Sequence, residues 1–189
     1  CLNRVHKKQV VTMTPERSPS VHEITRVDVT RIHHYSRNPR RQQNPEYDRI
    51  KASIQAEGLD QPLVLSQEPG TIGYVLHSGG NTRLRILKEL LDETGDERFR
   101  WIDCVVKPWS QESNVLFAHL RENELRGGLP FIDKALAVFE AKNLLESEME
   151  VESLSQRQLE ELFRERGFGL SHSMISKMGY AVETLWSLM

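Results

Sequence analysis

A pair of adjacent glycines places the first firm constraint on this chain. Gly79 and Gly80 lie between a short apolar run, Tyr74-Val75-Leu76, and a segment in which Leu84, Leu87, Leu90 and Leu91 recur at helical spacing. The pattern reads as strand, glycine turn and helix. Two consecutive residues without a Cβ let backbone N–H groups approach a ligand closely, and the helix start that follows offers unpaired donors with a partial positive charge. Arg83 and Arg85 fall in that first turn, where the helix dipole disfavours cations. An anion, most simply a phosphate, is the expected partner, with Gly79, Gly80, Thr82, Arg83 and Arg85 as the residues to hold it.

A second constellation follows at Glu122-Asn123-Glu124-Leu125-Arg126. On a helix, Glu122 and Arg126 share a face with Asn123 beside them. A carboxylate next to a carboxamide can hold Mg²⁺ together with water and phosphate oxygens, and a guanidinium can pair with the phosphate itself. The same five residues also read as an exposed ion pair worth a few tenths of a kcal/mol. The pentapeptide alone leaves both readings open.

Taken in order, residues 1–23 mix Lys, Arg, Ser, Pro and His without periodicity, as a basic tail would, whether a solvated terminus or a non-specific nucleic-acid arm. From Ile24 to Ile32 the sequence alternates as one strand. The basic loop Asn38-Pro39-Arg40-Arg41 leads to Asn44 as an N-cap and Pro45 as the first helical residue, with Tyr47, Ile50 and Ile54 at helical spacing up to Gly58. Strands are expected at 63–65, 74–76 and 101–106, and helices at 81–93 and 110–126. Strands alternating with helices predict a small α+β domain over 24–126.

The glycines Gly127 and Gly128 predict a hinge, opening a linking segment, 127–153, with a helix from Pro130. Ser155 and Gln158 form the signature of a capping box, and Leu159, Leu162 and Phe163 an inner face. After the turn at 167–170, Ser171 can cap a helix with Met174, Ile175, Met178 and Val182 packed inward. Two short helices about a glycine turn predict an all-α helix-turn-helix domain over 154–189. Ser171, His172, Ser173, Ser176 and Lys177 are the side chains expected to face a DNA groove. Residues 155–189 balance four Lys or Arg against four Asp or Glu, so phosphate contacts would come mainly from elsewhere, from the basic tail and the Arg37–Arg41 loop, with Arg40 and Arg41 the candidates there.

The 189 residues, with 38% hydrophobic and 28% charged side chains, suit one or two globular domains. The net charge of −2 gives no global attraction to nucleic acid, yet residues 1–44 carry nine Lys or Arg against three Asp or Glu. No apolar run approaches the roughly 18 residues of a membrane span, so no membrane association is expected and a cytoplasmic location is. Cys1 and Cys104 are too few for a disulfide framework or structural zinc. The chain opens on Cys1 rather than Met and stops within a helical pattern, so it is expected to be a fragment continuing beyond its C-terminal end.

Asn38-Pro39-Arg40, the run Gly58-Leu59-Asp60-Gln61-Pro62-Leu63-Val64, the box Gly80-Asn81-Thr82-Arg83-Leu84-Arg85, the pentapeptide 122–126 and the terminal helix pair occur in the order seen in ParB-like proteins. The chain resembles that family over about residues 24–185, and is similar in particular to ParB-type proteins of integrative and conjugative elements. The resemblance implies a ParB/sulfiredoxin-like domain followed by a helix-turn-helix. It also implies a protein that partitions or maintains a plasmid or integrative element as a clamp on double-stranded DNA gated by CTP and Mg²⁺. A homodimer, a ParA-type ATPase as partner and a nucleoid- or plasmid-associated location belong to the same expectation.

Carried over onto this chain, Gly80, Arg83 and Arg85 would hold phosphates, Glu122 and Asn123 the metal, and Arg126 the triphosphate or a switch contact. The family box usually reads Gly-Glu-Arg-Arg, and here Asn81-Thr82 stand in place of the Glu-Arg pair. One phosphate-facing guanidinium is lost, which leaves CTP binding weakened, altered in base preference, or absent. Thr82 offers a hydroxyl donor or a helix cap. Sulfiredoxin chemistry needs a Cys in the glycine turn, and none is present. A ParB-fold nuclease or NTP hydrolase and a DNA-binding module without nucleotide are the alternatives. His33, His34 and His77 lack metal-ligand spacing and read as solvated side chains. No catalytic residue is assigned, and any CTP turnover is expected to be slow because neither motif supplies an obvious general base.

Overall fold

A computed structural model of the chain describes residues 24–186, so the basic tail expected over 1–23 lies outside the described residues. The strands are β1 (Ile24–Asp28), β2 (Ile32–His33), β3 (Leu63–Ser66), β4 (Tyr74–Leu76) and β5 (Trp101–Lys107). The helices are α1 (Tyr47–Glu57), α2 (Asn81–Thr94), α3 (Glu112–Leu125), α4 (Phe131–Glu148), α5 (Gln156–Glu165) and α6 (His172–Trp186). One mixed sheet runs in the order β1-β5-β3-β4-β2, antiparallel at β1/β5 and β3/β4 and parallel at β5/β3 and β4/β2. The α+β unit followed by helices is the architecture expected from the sequence.

The single strand expected over 24–32 is broken in two. The Asp28 carboxylate accepts from the Thr30 N–H at 2.9 Å and hydroxyl at 2.7 Å, and from Arg100 Nε at 3.1 Å. These bonds turn residues 29–31 into a 3₁₀ turn, because a short carboxylate competes with the ladder for backbone donors. The break carries the chain from one edge of the sheet, β1, to the other, β2. Helix α1 also starts later than Asn44-Pro45 suggested. Asn44 accepts from the Glu46 N–H at 3.0 Å and builds a turn ahead of the helix, and Glu46 stands at the N-cap without a side-chain bond to the helix backbone.

Helix α3 is the central element. Val115, Leu116, Phe117, Ala118, His119 and Leu120 are all buried. Its first turn is capped from another helix: Glu148, at the end of α4, accepts from the Ser113 N–H at 2.9 Å and hydroxyl at 2.5 Å. Helices α3 and α4 thus form an antiparallel hairpin, and Gly127 and Gly128 at its tip have φ of 96° and 80°. Phe117 meets Phe163 edge-on at 5.0 Å and Phe168 at 6.4 Å, joining α5 and the turn after it to α3. A single apolar core runs through sheet and helices alike.

The Ser155–Gln158 capping box is formed. Ile175, Met178 and Val182 are buried, but Met174 is 37% exposed. The first three recur at 3 and 4 residues and define the inner stripe, which a residue immediately before Ile175 leaves by about a quarter turn. Among the described residues no helix is long and apolar enough to cross a membrane.

Candidate functional site

The glycine turn and the end of α3 face each other across a cleft of about 440 Å³. Asn38, Arg40, Gly79, Gly80, Asn81, Thr82, Arg83, Glu122, Asn123, Arg126, Gly127 and Gly128 all line it, so both constellations meet at one place. The approach is tight. A Cβ on Gly79, where φ is 56°, would lie 2.4 Å from Glu122 Cδ, and one on Gly80, where φ is 82°, would lie 2.9 Å from Leu63 Cδ2. Both glycines are needed for backbone conformation and for space together. A second depression, of about 280 Å³, is lined by Ile50, Ile54, Gly58, Leu59, Asp60 and Gln61 and adjoins the first through Arg83 and Arg126.

Charge is unevenly satisfied within the cleft. Glu122 pairs with Arg126 at 2.6 Å. Among the described residues Arg83 has no carboxylate within pairing distance: one terminal nitrogen donates to the Gln61 carbonyl at 2.9 Å, while its Nε is buried with no partner among those residues. Burial lowers its pKa, and the neighbouring Arg126 lowers it further against the opposing pull of Glu122. A guanidinium desolvated beside a second one is where an anion gains most. Helix α2 begins here without a side-chain cap, which leaves its first N–H groups to the cleft.

Asn123 is buried and fully engaged. Its Nδ2 donates to the His119 carbonyl at 2.9 Å and its Oδ1 accepts from Arg40 Nε at 3.2 Å. Arg40 also donates to the Gly128 carbonyl at 3.0 Å. Arg40, expected as a DNA contact, is therefore part of the cleft wall, clasping the α3–α4 tip. Arg41 is exposed, with its backbone N–H on Asp133 at 3.4 Å. Arg85 is exposed and does not line the cleft, since two residues along a helix turn a side chain about 200° away from Arg83.

The sequence did not disclose His119. It is fully buried on α3, its Nδ1 accepts from the Gly79 N–H at 3.1 Å, and its Nε2 lies 3.1 Å from the Leu76 carbonyl. The Gly79 N–H, expected to face the anion, is thus already used. A histidine inside the apolar run 115–120 was the one signal that could have pointed to it. The three histidines expected to be solvated are tethered: exposed His33 to the Ile72 carbonyl, exposed His34 to Asn81, and half-buried His77 to Ser66 at 2.7 Å. Among the described residues no group of three or more His, Cys, Asp or Glu converges to hold a metal.

The side chains expected to face DNA, Ser171, His172, Ser173, Ser176 and Lys177, are all exposed at the start of α6. The hydroxyl of Ser171 accepts from the Met174 N–H, and His172 is held by Glu160 through its backbone N–H at 3.1 Å and its ring at 3.2 Å. Those two are engaged within the protein, while Lys177 forms no ion pair among the described residues.

A family model of the ParB N-terminal domain matches residues 13–123, more than half of the chain. The chain belongs to the ParB N-terminal domain family. Among solved structures, this ParB-family chain is similar to a Pnob8-like ParB-N domain at TM-score 0.59 and 18% identity, over 88% of this chain and 72% of that one. It is similar also to a pNOB8-like ParB N-domain at TM-score 0.57 and 15% identity, over 87% and 66%. The C-terminally truncated chromosome-partitioning protein ParB from Caulobacter crescentus, complexed with CTP-gamma-S, matches at TM-score 0.46 and 20% identity, over 82% and 76%. At these identities the likeness to the two ParB N-domains is one of fold. No curated protein sequence matches.

Proposed function

We propose that this ParB-family chain is a DNA-binding protein for partition or maintenance of a plasmid or integrative element, and that CTP in the cleft gates its hold on double-stranded DNA. The observation that carries the nucleotide reading is Arg83, a largely desolvated guanidinium with an unpartnered Nε, beside Arg126 and an uncapped helix start. Gly80, Thr82 and Arg83 would hold the triphosphate, and the residues of the adjoining depression, Gly58 to Gln61, would take the ribose and base. Asn81-Thr82 in place of a Glu-Arg pair removes one guanidinium, and the Thr82 hydroxyl substitutes for part of that contact.

Mg²⁺ fits one of the two residues expected to hold it. Glu122 reaches the glycine turn and can exchange Arg126 for the ion, which frees Arg126 for the triphosphate. Asn123 fits only if Arg40 releases its amide oxygen. One carboxylate with phosphate oxygens and water is an ordinary Mg²⁺ environment. The ion, when bound, screens the triphosphate charge. Both carboxylates lining the cleft are paired, Glu46 with Arg49 and Glu122 with Arg126, which favours binding over turnover and any CTPase as slow.

Because the cleft is walled by the end of α3 and by Gly127 and Gly128 themselves, a ligand that prefers one angle at Gly127-Gly128 biases that angle. A homodimer closing on DNA, and a ParA-type ATPase acting on it, belong to the same reading. Calorimetry with CTP, ATP and GTP in the presence of Mg²⁺ tests it. CTP is expected to give the strongest heat, and Arg83→Ala to weaken it by about 10- to 100-fold, the worth of a charge-assisted contact. Absence of heat with all three leaves a DNA-binding module without nucleotide.

A further inference from the structure

We propose that His119 is the positioning residue of the glycine turn: its ring spans the turn from Leu76 to Gly79, and so directs the N–H groups that follow, from Gly80 onward, into the cleft. The inference rests on the nucleotide reading for its consequence, but its geometry stands alone. One edge of the ring faces a backbone donor, the Gly79 N–H, and the other a backbone acceptor, the Leu76 carbonyl, each at 3.1 Å. An N–H donor demands a bare nitrogen and a carbonyl demands a protonated one, so the ring is fixed as the neutral tautomer with hydrogen on Nε2.

The face of the ring is fixed as well. Tyr35 stacks on it at 4.4 Å between centroids and 7° between planes, and the Tyr35 hydroxyl donates to Glu112 at 2.8 Å. The His119 carbonyl accepts from Asn123 at 2.9 Å, and Asn123 is held by Arg40. The ring therefore replaces the backbone bond that would ordinarily close residues 76–79, and it does so from α3, the helix that also carries Glu122. The turn and the carboxylate above it are set by one rigid element.

The consequence is specific. With its N–H committed to His119, Gly79 contributes space and conformation, not a donor, and the anion cradle starts one residue later. A glutamine can present an amide oxygen to Gly79 and an amide N–H to Leu76, whereas leucine can present neither and leaves two buried backbone groups unpaired.

The test combines nitrogen NMR of the nucleotide-free protein with nucleotide titration of His119→Leu and His119→Gln. The wild type is expected to show one bare Nδ1 and one protonated Nε2, with a Gly79 amide slow to exchange. Affinity for CTP with Mg²⁺ is expected to fall about tenfold or more in His119→Leu, the scale of one lost buried hydrogen bond, and to recover most of that in His119→Gln. An Nδ1–H tautomer, a fast-exchanging Gly79 amide, or wild-type affinity in His119→Leu overturns the proposal. If His119→Leu does not fold, the tautomer and the His119→Gln titration decide. Failure of the wild type to bind any nucleotide defeats the nucleotide reading alone, while the tautomer and the Gly79 exchange rate still judge the role of His119.

Discussion

The cleft and the α5–α6 pair are built on opposite plans. In the cleft, Asn123 and His119 are buried, Glu122 is half-buried, and most polar groups are committed: Asn123 to His119 and Arg40, Glu122 to Arg126, and the Gly79 N–H to His119. Arg83 is the exception, with its Nε unpartnered. In α5–α6 the inside is apolar, Phe163 against Phe117 and Phe168 with Ile175, Met178 and Val182 behind them, and the polar residues are outside. The contrast separates two ways of preparing for a ligand. A buried site must satisfy every group except the one left for the anion, whereas an exposed reading face needs only a rigid backing.

The comparison is most sharply broken at Gly79. Gly79→Ala forces a Cβ to 2.4 Å from the Glu122 carboxyl carbon at a φ of 56°. The left-handed conformation alone costs about 1–2 kcal/mol for an L-residue, and displacing Glu122 adds to it. A loss of about 3–4 kcal/mol is expected in chemical denaturation. The adverse outcome is a variant as stable as wild type, which would mean that the turn and α3 do not press together.

The next effect comes from pH. Burial pushes the His119 imidazole from the ordinary 6.5 down to about 4, against the opposing bond from the Leu76 carbonyl. The unfolded chain then binds a proton that the folded chain refuses between those values, so stability rises with pH across this window and is lost as pH falls through it. The contribution present above about pH 6.5 and gone below about pH 4 is about 3 kcal/mol. Denaturation midpoints from pH 7 to pH 4 measure it, and His119→Gln is expected to flatten that part of the curve. An unchanged slope in the variant would assign the acid sensitivity to other groups.

The same contrast explains what could be read from the sequence. The strand, glycine turn and α2 were legible because glycine and leucine spacing is a local signal, and the Ser155–Gln158 cap because its partners are three residues apart. The meeting of 79–83 with 122–126 followed from the family resemblance, not from the residues alone. What stayed hidden crosses long distances in the chain. Arg40 reaches Asn123 over 83 residues and Gly79 reaches His119 over 40, and neither leaves a trace in local periodicity. The break at Asp28 was hidden by an alternation that continues through it, since nothing in a period of two reveals that a carboxylate will fold back on Thr30.

The smallest effect, and the one that tests the outer face, is at Lys177. It stands exposed on α6, three residues beyond Met174 on the side away from Ile175 and Met178, and forms no ion pair among the described residues. If α6 lies along DNA, Lys177 meets a phosphate and releases about one counterion. Lys177→Ala is then expected to weaken binding by about 3- to 10-fold at low salt, uniformly across sequences, and to reduce the salt slope by about 1. Nucleotide affinity should not move, because Lys177 lines neither the cleft nor the adjoining depression. Titration of duplex DNA across a salt series reads both quantities at once. An unchanged slope would take α6 off the DNA and leave α5–α6 as a packing unit, in which case the two regions would differ not in how they hold a ligand but in whether they hold one.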